Sequence, residues 1–170
     1  MVAISLAGGA ELLAAGEFAA AWRAGAQSND PAELAAAAEA ASLMAQYRAA
    51  SDDERRLWLE RTEQAARQLI ELFPKDPEGY YQLAHAQAEM IRFVGIFGKI
   101  GLASAIKENL DACLERDPRH ARALMGLALW NMELAQRGLG WLYGARLEEV
   151  RPLLQRAVAL EPGNLSLIHI

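Results

Sequence analysis

The chain has 170 residues, enough for one substantial core, and it is 53% apolar but only 7% aromatic, the balance of an Ala- and Leu-rich helical protein. A net charge of −5 and a pI near 5.3 argue against a nucleic-acid or anionic-membrane partner, since both need concentrated Lys and Arg; basic or neutral protein partners stay open. The single cysteine excludes an internal disulfide, and no run reaches the roughly 18 consecutive apolar residues of a membrane span.

Met1 to Ala10 has no basic leading region, and its apolar run is too short for a secretory signal. If Met1 is the true start, the protein is cytoplasmic; if an export signal preceded it, periplasmic. From Leu12 to Ala21 the pattern predicts a short helix ending at Gly16, in the left-handed C-terminal position, and a second opened by Phe18. Ser28-Asn29-Asp30-Pro31 breaks the chain, with Asp30 as N-cap and Pro31 as the first helical residue. Leu34, Leu43, Met44 and Tyr47 mark an Ala-rich helix from Ala32 to Arg48. Ser51 and Glu54 form a capping box for the next, which runs to Phe73. Helices from Pro77 to Phe93, Ala103 to Arg116, Pro118 to Arg137 and Leu147 to Leu160 complete the set, with Asp117 as the cap ahead of Pro118. Pro152 lies awkwardly inside the last of these.

A fixed step runs through this order. Pro74, Pro118 and Pro162 are 44 residues apart, and Ile70, Leu114 and Val158 share that register, as do Leu83-Ala84 with Leu127-Ala128 and Glu89 with Glu133. A constant period of this size signals stacked helical hairpins, because one hairpin cannot bury its apolar face alone. On these residues the chain resembles the tetratricopeptide repeat family, a helix pair of about 34 residues, here in a bacterial group enlarged by about ten. Tyr80, Leu83, Ala84, Ile106, Leu110, Cys113 and Pro118 carry the likeness in one unit. Leu124, Leu127, Ala128, Val150, Leu154, Ala157 and Pro162 carry it in the next. The enlargements, Gly95–Gly101 and Gly138–Gly144, depart from the standard repeat. The resemblance implies an all-α fold, a right-handed superhelical array of antiparallel helix pairs with seven or eight helices. It would form a single array over 1–164: a degenerate first unit at 1–30, then units at 31–74, 75–118 and 119–162. Residues 165–170 read as a foreign or truncated tail, the end of a gene fragment; the alternative is the native start of a further repeat helix.

Chemical motifs are thin. His85 and Glu89 are one helical turn apart, but a zinc site needs three or four ligands, and neither His120 nor His169 supplies them. Gly98-Lys99-Ile100 lacks the hydroxyl residue of a phosphate-binding loop, and Gly138-Leu139-Gly140 has no preceding strand for a dinucleotide fold. Cys113 takes a small inward position with no neighbouring base, which is a packing role. No metal, cofactor or catalytic residue is expected.

The resemblance places function in a concave groove lined by the first helix of each pair. Tyr81, His85, Glu89 and Arg92 would face it from one unit; Arg122, Met125, Leu129, Met132 and Glu133 from the next. Leu129 and Met132 could equally pack between helices. A second candidate is a lip made by the enlargements, with Phe93, Phe97, Trp141 and Tyr143 either exposed to a partner or folded back to seal the ridge. The reading is a non-enzymatic scaffold that binds a protein or peptide. A small-ligand carrier, of the kind that accompanies periplasmic transporters, is the alternative, favoured by an apolar pocket under the enlargements.

Overall fold

The structure, a computed structural model, describes residues 7–162. The sequence readings of the first six residues, of His169 and of the 165–170 tail lie outside them. Among the described residues there are nine α-helices, one 3-10 turn and no strand. The helices are α1 (Gly9–Ala14), α2 (Phe18–Gly25), α3 (Pro31–Tyr47), α4 (Asp52–Leu72), α5 (Pro77–Met90), α6 (Ile96–Arg116), α7 (Ala121–Gln136), α8 (Gly140–Tyr143) and α9 (Leu147–Leu160), with the 3-10 turn at Ile91–Phe93. The all-α class is as the sequence predicts.

Local chemistry sets most of the boundaries. Gly16 ends the first helical stretch at φ 78°, and Phe18 opens α2. The Asp30 carboxylate accepts the Ala32 and Glu33 N–H groups with Pro31 at the first helical position, so two orphan donors are satisfied at once. Ser51 Oγ accepts the Glu54 N–H, while Glu54 reaches back to the Ala50 N–H.

Three sequence expectations are corrected. The Gly95–Gly101 enlargement is not a connection but the first turns of α6, which starts at Ile96 rather than Ala103. Gly98 and Gly101 are tolerated there because a helical glycine costs only about 1 kcal/mol, and the helix continues regardless. The Gly138–Gly144 enlargement contains α8, a helix the pattern misses. The start of α7 is also displaced. Asp117 caps a turn by accepting the Arg119 N–H, and His120 becomes the N-cap, its Nδ1 accepting the Ala123 N–H. In register, His120 stands where Asp76 caps α5, and Pro118 stands where Pro74 lies in a turn.

The 44-residue step is visible in the bounds themselves. α4, α6 and α9 end at 72, 116 and 160; α5 and α7 begin at 77 and 121; α6 and α8 begin at 96 and 140. From α1 to α6 each helix packs chiefly on its neighbours in sequence, α7 packs chiefly on α9 across the short α8, and α1, α3, α5 and α7 also touch in succession. That places α3, α5 and α7 side by side as one face. The core changes character along the chain. Around α3 it consists of small side chains, with Ala37, Ala38, Ala40 and Ala41 fully buried beside Leu34. Trp22 and Trp58 meet edge to face at its rim, with the Arg61 guanidinium over both rings at 4.4 and 4.3 Å. Around α5 to α7 the core is built from Tyr81, Ile106, Leu110, Trp130 and Leu134.

A cleft across α3, α5 and α7

The face shared by α3, α5 and α7 is a cleft with two lobes that meet at Tyr81, His85, Arg122 and Met125. One lobe, of about 490 Å³, is the more polar: Glu39, Ser42, Leu43, Gln46 and Tyr47 from α3, Gln82 from α5 and Glu161 complete it. The other, of about 450 Å³, is apolar, walled by Ala84, Ile91, Ala103, Ile106, Leu110, Leu129, Trp130 and Leu134. α6 and α7 touch less extensively than α4 and α5, and the apolar lobe occupies that looser seam.

A charged network forms the junction. Arg122 donates to Glu78 Oε1 at 2.8 Å and to Glu39 Oε1 at 3.3 Å, with its guanidinium carbon 4.7 Å from the Tyr81 ring centre. His120 Nε2 lies 3.2 Å from Glu78 Oε2, and Gln82 donates to Glu78 Oε1 at 2.8 Å. Because His120 Nδ1 accepts a backbone N–H, its neutral form carries the proton on Nε2 and donates to Glu78. The Tyr81 ring is stacked at a tilt between His120, at 5.0 Å, and His85, at 6.0 Å.

These contacts decide the protonation states. Burial alone would raise the Glu78 carboxyl, but the His120 hydrogen bond, the Arg122 charge and the Gln82 bond together hold it below its ordinary value. Burial opposes the Arg122 charge, and the Glu78 carboxylate reverses that, so the guanidinium is held cationic all the more firmly. Burial lowers His85, against the pull of Glu89 and with the help of the Arg122 charge; its Nδ1 shares a hydrogen bond with Ser42 Oγ at 3.1 Å. Burial also pushes the Tyr81 phenol up to about 12, partly countered by Arg122.

Of the residues singled out from the sequence, Tyr81, His85, Glu89, Arg122, Met125, Leu129, Met132 and Glu133 line one or both lobes. Arg92 does not. It sits on the 3-10 turn over the Phe93 ring at 5.6 Å, because the helix that would have turned it inward ends at Met90. Arg122 is more than a groove cation, since it ties α7 to α3 and α5. Glu39, Glu78, His120 and Trp130 were missed. One signal for the main pair was present: Glu78 and Arg122 are 44 residues apart. Equivalent positions in stacked units are neighbours, so opposite charges at that spacing meet. Glu39 has no such register mark.

The lip divides. Phe93 packs against the cluster around Trp58, and Tyr143 meets Trp130 edge to face at 6.4 Å. Phe97 and Trp141 point outward, 86% and 84% exposed. Cys113 is fully buried in the core, its thiol pushed up to about 12 mainly by burial. Among the described residues no group of three His, Cys, Asp or Glu side chains could hold a metal ion.

A protein-family model described as "Regulator of microtubule dynamics protein 1-3" matches residues 20–143, from α2 through α8. This overturns the tetratricopeptide resemblance: Pro-marked helix pairs with small residues at fixed offsets are a general solution to stacking, and the match is to a different family. No curated protein matches the chain.

Proposed function

We propose that this chain, which belongs to the regulator of microtubule dynamics protein 1-3 family, is a non-catalytic binding module that seats a segment of a partner protein in the cleft across α3, α5 and α7. The observation that carries this reading is the pairing of an apolar lobe with a polar one across a rigid charged junction. An amphipathic peptide segment presents that pattern: apolar side chains for the wall formed by Ile106, Leu110, Leu129 and Trp130, polar groups for Glu39, Gln46 and Arg122. The junction is already held by hydrogen bonds in the free protein, so little ordering is left to be done on binding. Met125 and Met132 add adaptable apolar surface of the kind that accepts varied partners. The family's description speaks of regulating microtubule dynamics, a task in which a docking surface without chemistry has a natural place.

The apolar lobe also favours a second reading, a carrier of a small amphipathic ligand, with its apolar part under Ile91 and Ala103 and its polar end at Arg122. One experiment separates the two. A photo-crosslinking residue at Met125 or Leu129, in the host cell, should yield adducts with a polypeptide, whereas the same probe at Glu60, on the exposed face of α4, should not. Adducts of equal yield at all three positions would sink the peptide reading. A small molecule co-purifying in native mass spectrometry, with no polypeptide adduct at either cleft position, would replace it with the carrier.

A further inference from the structure

The cleft leaves unexplained two outward aromatic tips that stand at equivalent positions, Phe97 on the first turn of α6 and Trp141 on α8, 44 residues apart. Neighbouring Ile96 is 68% exposed, and Ile100 and Leu142 are about half exposed. Phe97 belongs to a unit that has α7 to α9 following it and is still bare, so exposure is a property of the position and not of the edge of the stack. Exposed apolar groups of this size, repeated in register, are a docking surface rather than scattered surface residues.

Charge says what docks. From Met90 to Lys107 there is no acid and three cations, Arg92, Lys99 and Lys107; from Leu134 to Leu147 there is no acid and two, Arg137 and Arg146. The rest of the chain holds 12 basic side chains against 22 acidic ones. The overall acidity that argues against an anionic surface is therefore spread everywhere except the lip. Lys107, Arg137 and Arg146 are drawn into surface pairs with Asp111, Glu133 and Glu149, while Arg92 and Lys99 make no ion pair among the described residues.

We propose that this lip rests on an anionic phospholipid bilayer, with Phe97 and Trp141 seated at the headgroup boundary and Arg92 and Lys99 facing the lipid phosphates. Trp suits that boundary because its ring is apolar and its N–H finds a polar partner there. The contact is peripheral: no helix among the described residues is long and apolar enough to cross a membrane. It is independent of the cleft, since neither tip lines either lobe.

The test is partition of the full chain into phosphatidylcholine vesicles with and without phosphatidylserine, read by co-sedimentation and by quenching of Trp fluorescence with brominated lipid. Trp58 and Trp130 are buried and Trp22 is half-buried against Trp58, so quenching reports chiefly on Trp141. Binding is expected to the anionic vesicles, to weaken with salt, and to fall by about tenfold in F97S and W141S. Lys99→Gln should lose about fivefold. Melting temperatures should be unchanged, because all three side chains are solvent-exposed. Crosslinking at Met125 should survive the lip substitutions, which keeps this contact distinct from the cleft reading. Equal binding to neutral vesicles, no binding at all, or undiminished binding by the lip variants overturns the proposal. So does a concentration-dependent dimer that needs Phe97 and Trp141 while vesicles stay empty, which would make the lip a contact between two copies of the chain.

Discussion

The unit built from α5 and α6 and the unit built from α7, α8 and α9 start from the same plan and end differently. In the first, residues 96–116 form one unbroken helix; in the second, the equivalent 140–160 is split by Gly144, Ala145 and Arg146 into α8 and α9. Gly144 takes φ 70°, a conformation that its counterpart Ile100 would resist. Asn131 then fixes the break: its Oδ1 accepts the Arg146 N–H at 2.7 Å. Its counterpart Gln87 instead accepts from Asn109 at 3.0 Å, bracing α5 against an intact α6. One register, with a glycine and a buried amide used differently, therefore gives a straight helix or a corner. The corner brings Tyr143 back against Trp130, while Trp130 donates to the Ala103 carbonyl at 2.8 Å. In the first unit that tryptophan's place is held by the fully buried Ala86. A large wedge in one seam and a small residue in the other is why an apolar lobe opens between α6 and α7.

The largest effect should come from removing the wedge. Trp130→Ala is expected to cost about 3–5 kcal/mol, since it removes a large buried side chain and its bond to the Ala103 carbonyl, which keeps only its helical donor. Urea unfolding measures it. A loss below about 1 kcal/mol would mean that α6 and α7 simply close the gap, and that the lobe is not held open by Trp130.

Next is the charged tie between the units. Glu78→Gln should cost about 1–2 kcal/mol, less than a fully buried pair because both partners keep some solvent contact. The variant should also change the pH dependence. The folded-state value of Glu78 is depressed, so its contribution is present above the unfolded carboxylate value of 4.5 and lost as pH falls through the folded one. Chemical denaturation from neutral pH downward should therefore show a shallower acid limb in the variant than in the parent. Parallel limbs would mean that Glu78 is not charged more readily in the fold than out of it.

The sequence reveals the repeat plan better than its departures. The Asp30 and Ser51 caps, the Gly16 stop and the all-α class are legible because each rests on contacts within a few residues, and the period because the same local signals recur every 44 residues. Eight of nine groove residues line the cleft, since helical phase alone determines which side chains share a face. Arg92 failed because phase is lost where α5 tightens into a 3-10 turn. The Gly-rich enlargements misled in the opposite sense. Glycine density predicts a loop, but Gly98 and Gly101 lie inside a helix, and Gly144, with positive φ, is the one that breaks it. No local pattern marks Gly144 as the glycine that turns the chain, and the Asn131 bond that accompanies its corner is long-range. Family membership was not legible either, because stacking constrains many families to similar spacings.

The smallest effect asks whether glycine alone makes the corner. Ile100→Gly places in α6 the residue that breaks the second unit, at a position half exposed to solvent. If the break needs the Asn131 acceptor as well, α6 should stay continuous, because Gln87, in the equivalent position, is engaged with Asn109 and braces the intact helix instead. The cost is then that of a glycine in a helix, about 0.5–1 kcal/mol plus a little lost burial. Backbone amides from Ile100 to Ala103 should keep their hydrogen-exchange protection. Should those amides instead exchange freely, and the helix content drop by a turn, the glycine is sufficient by itself, and Asn131 only decorates a corner already made.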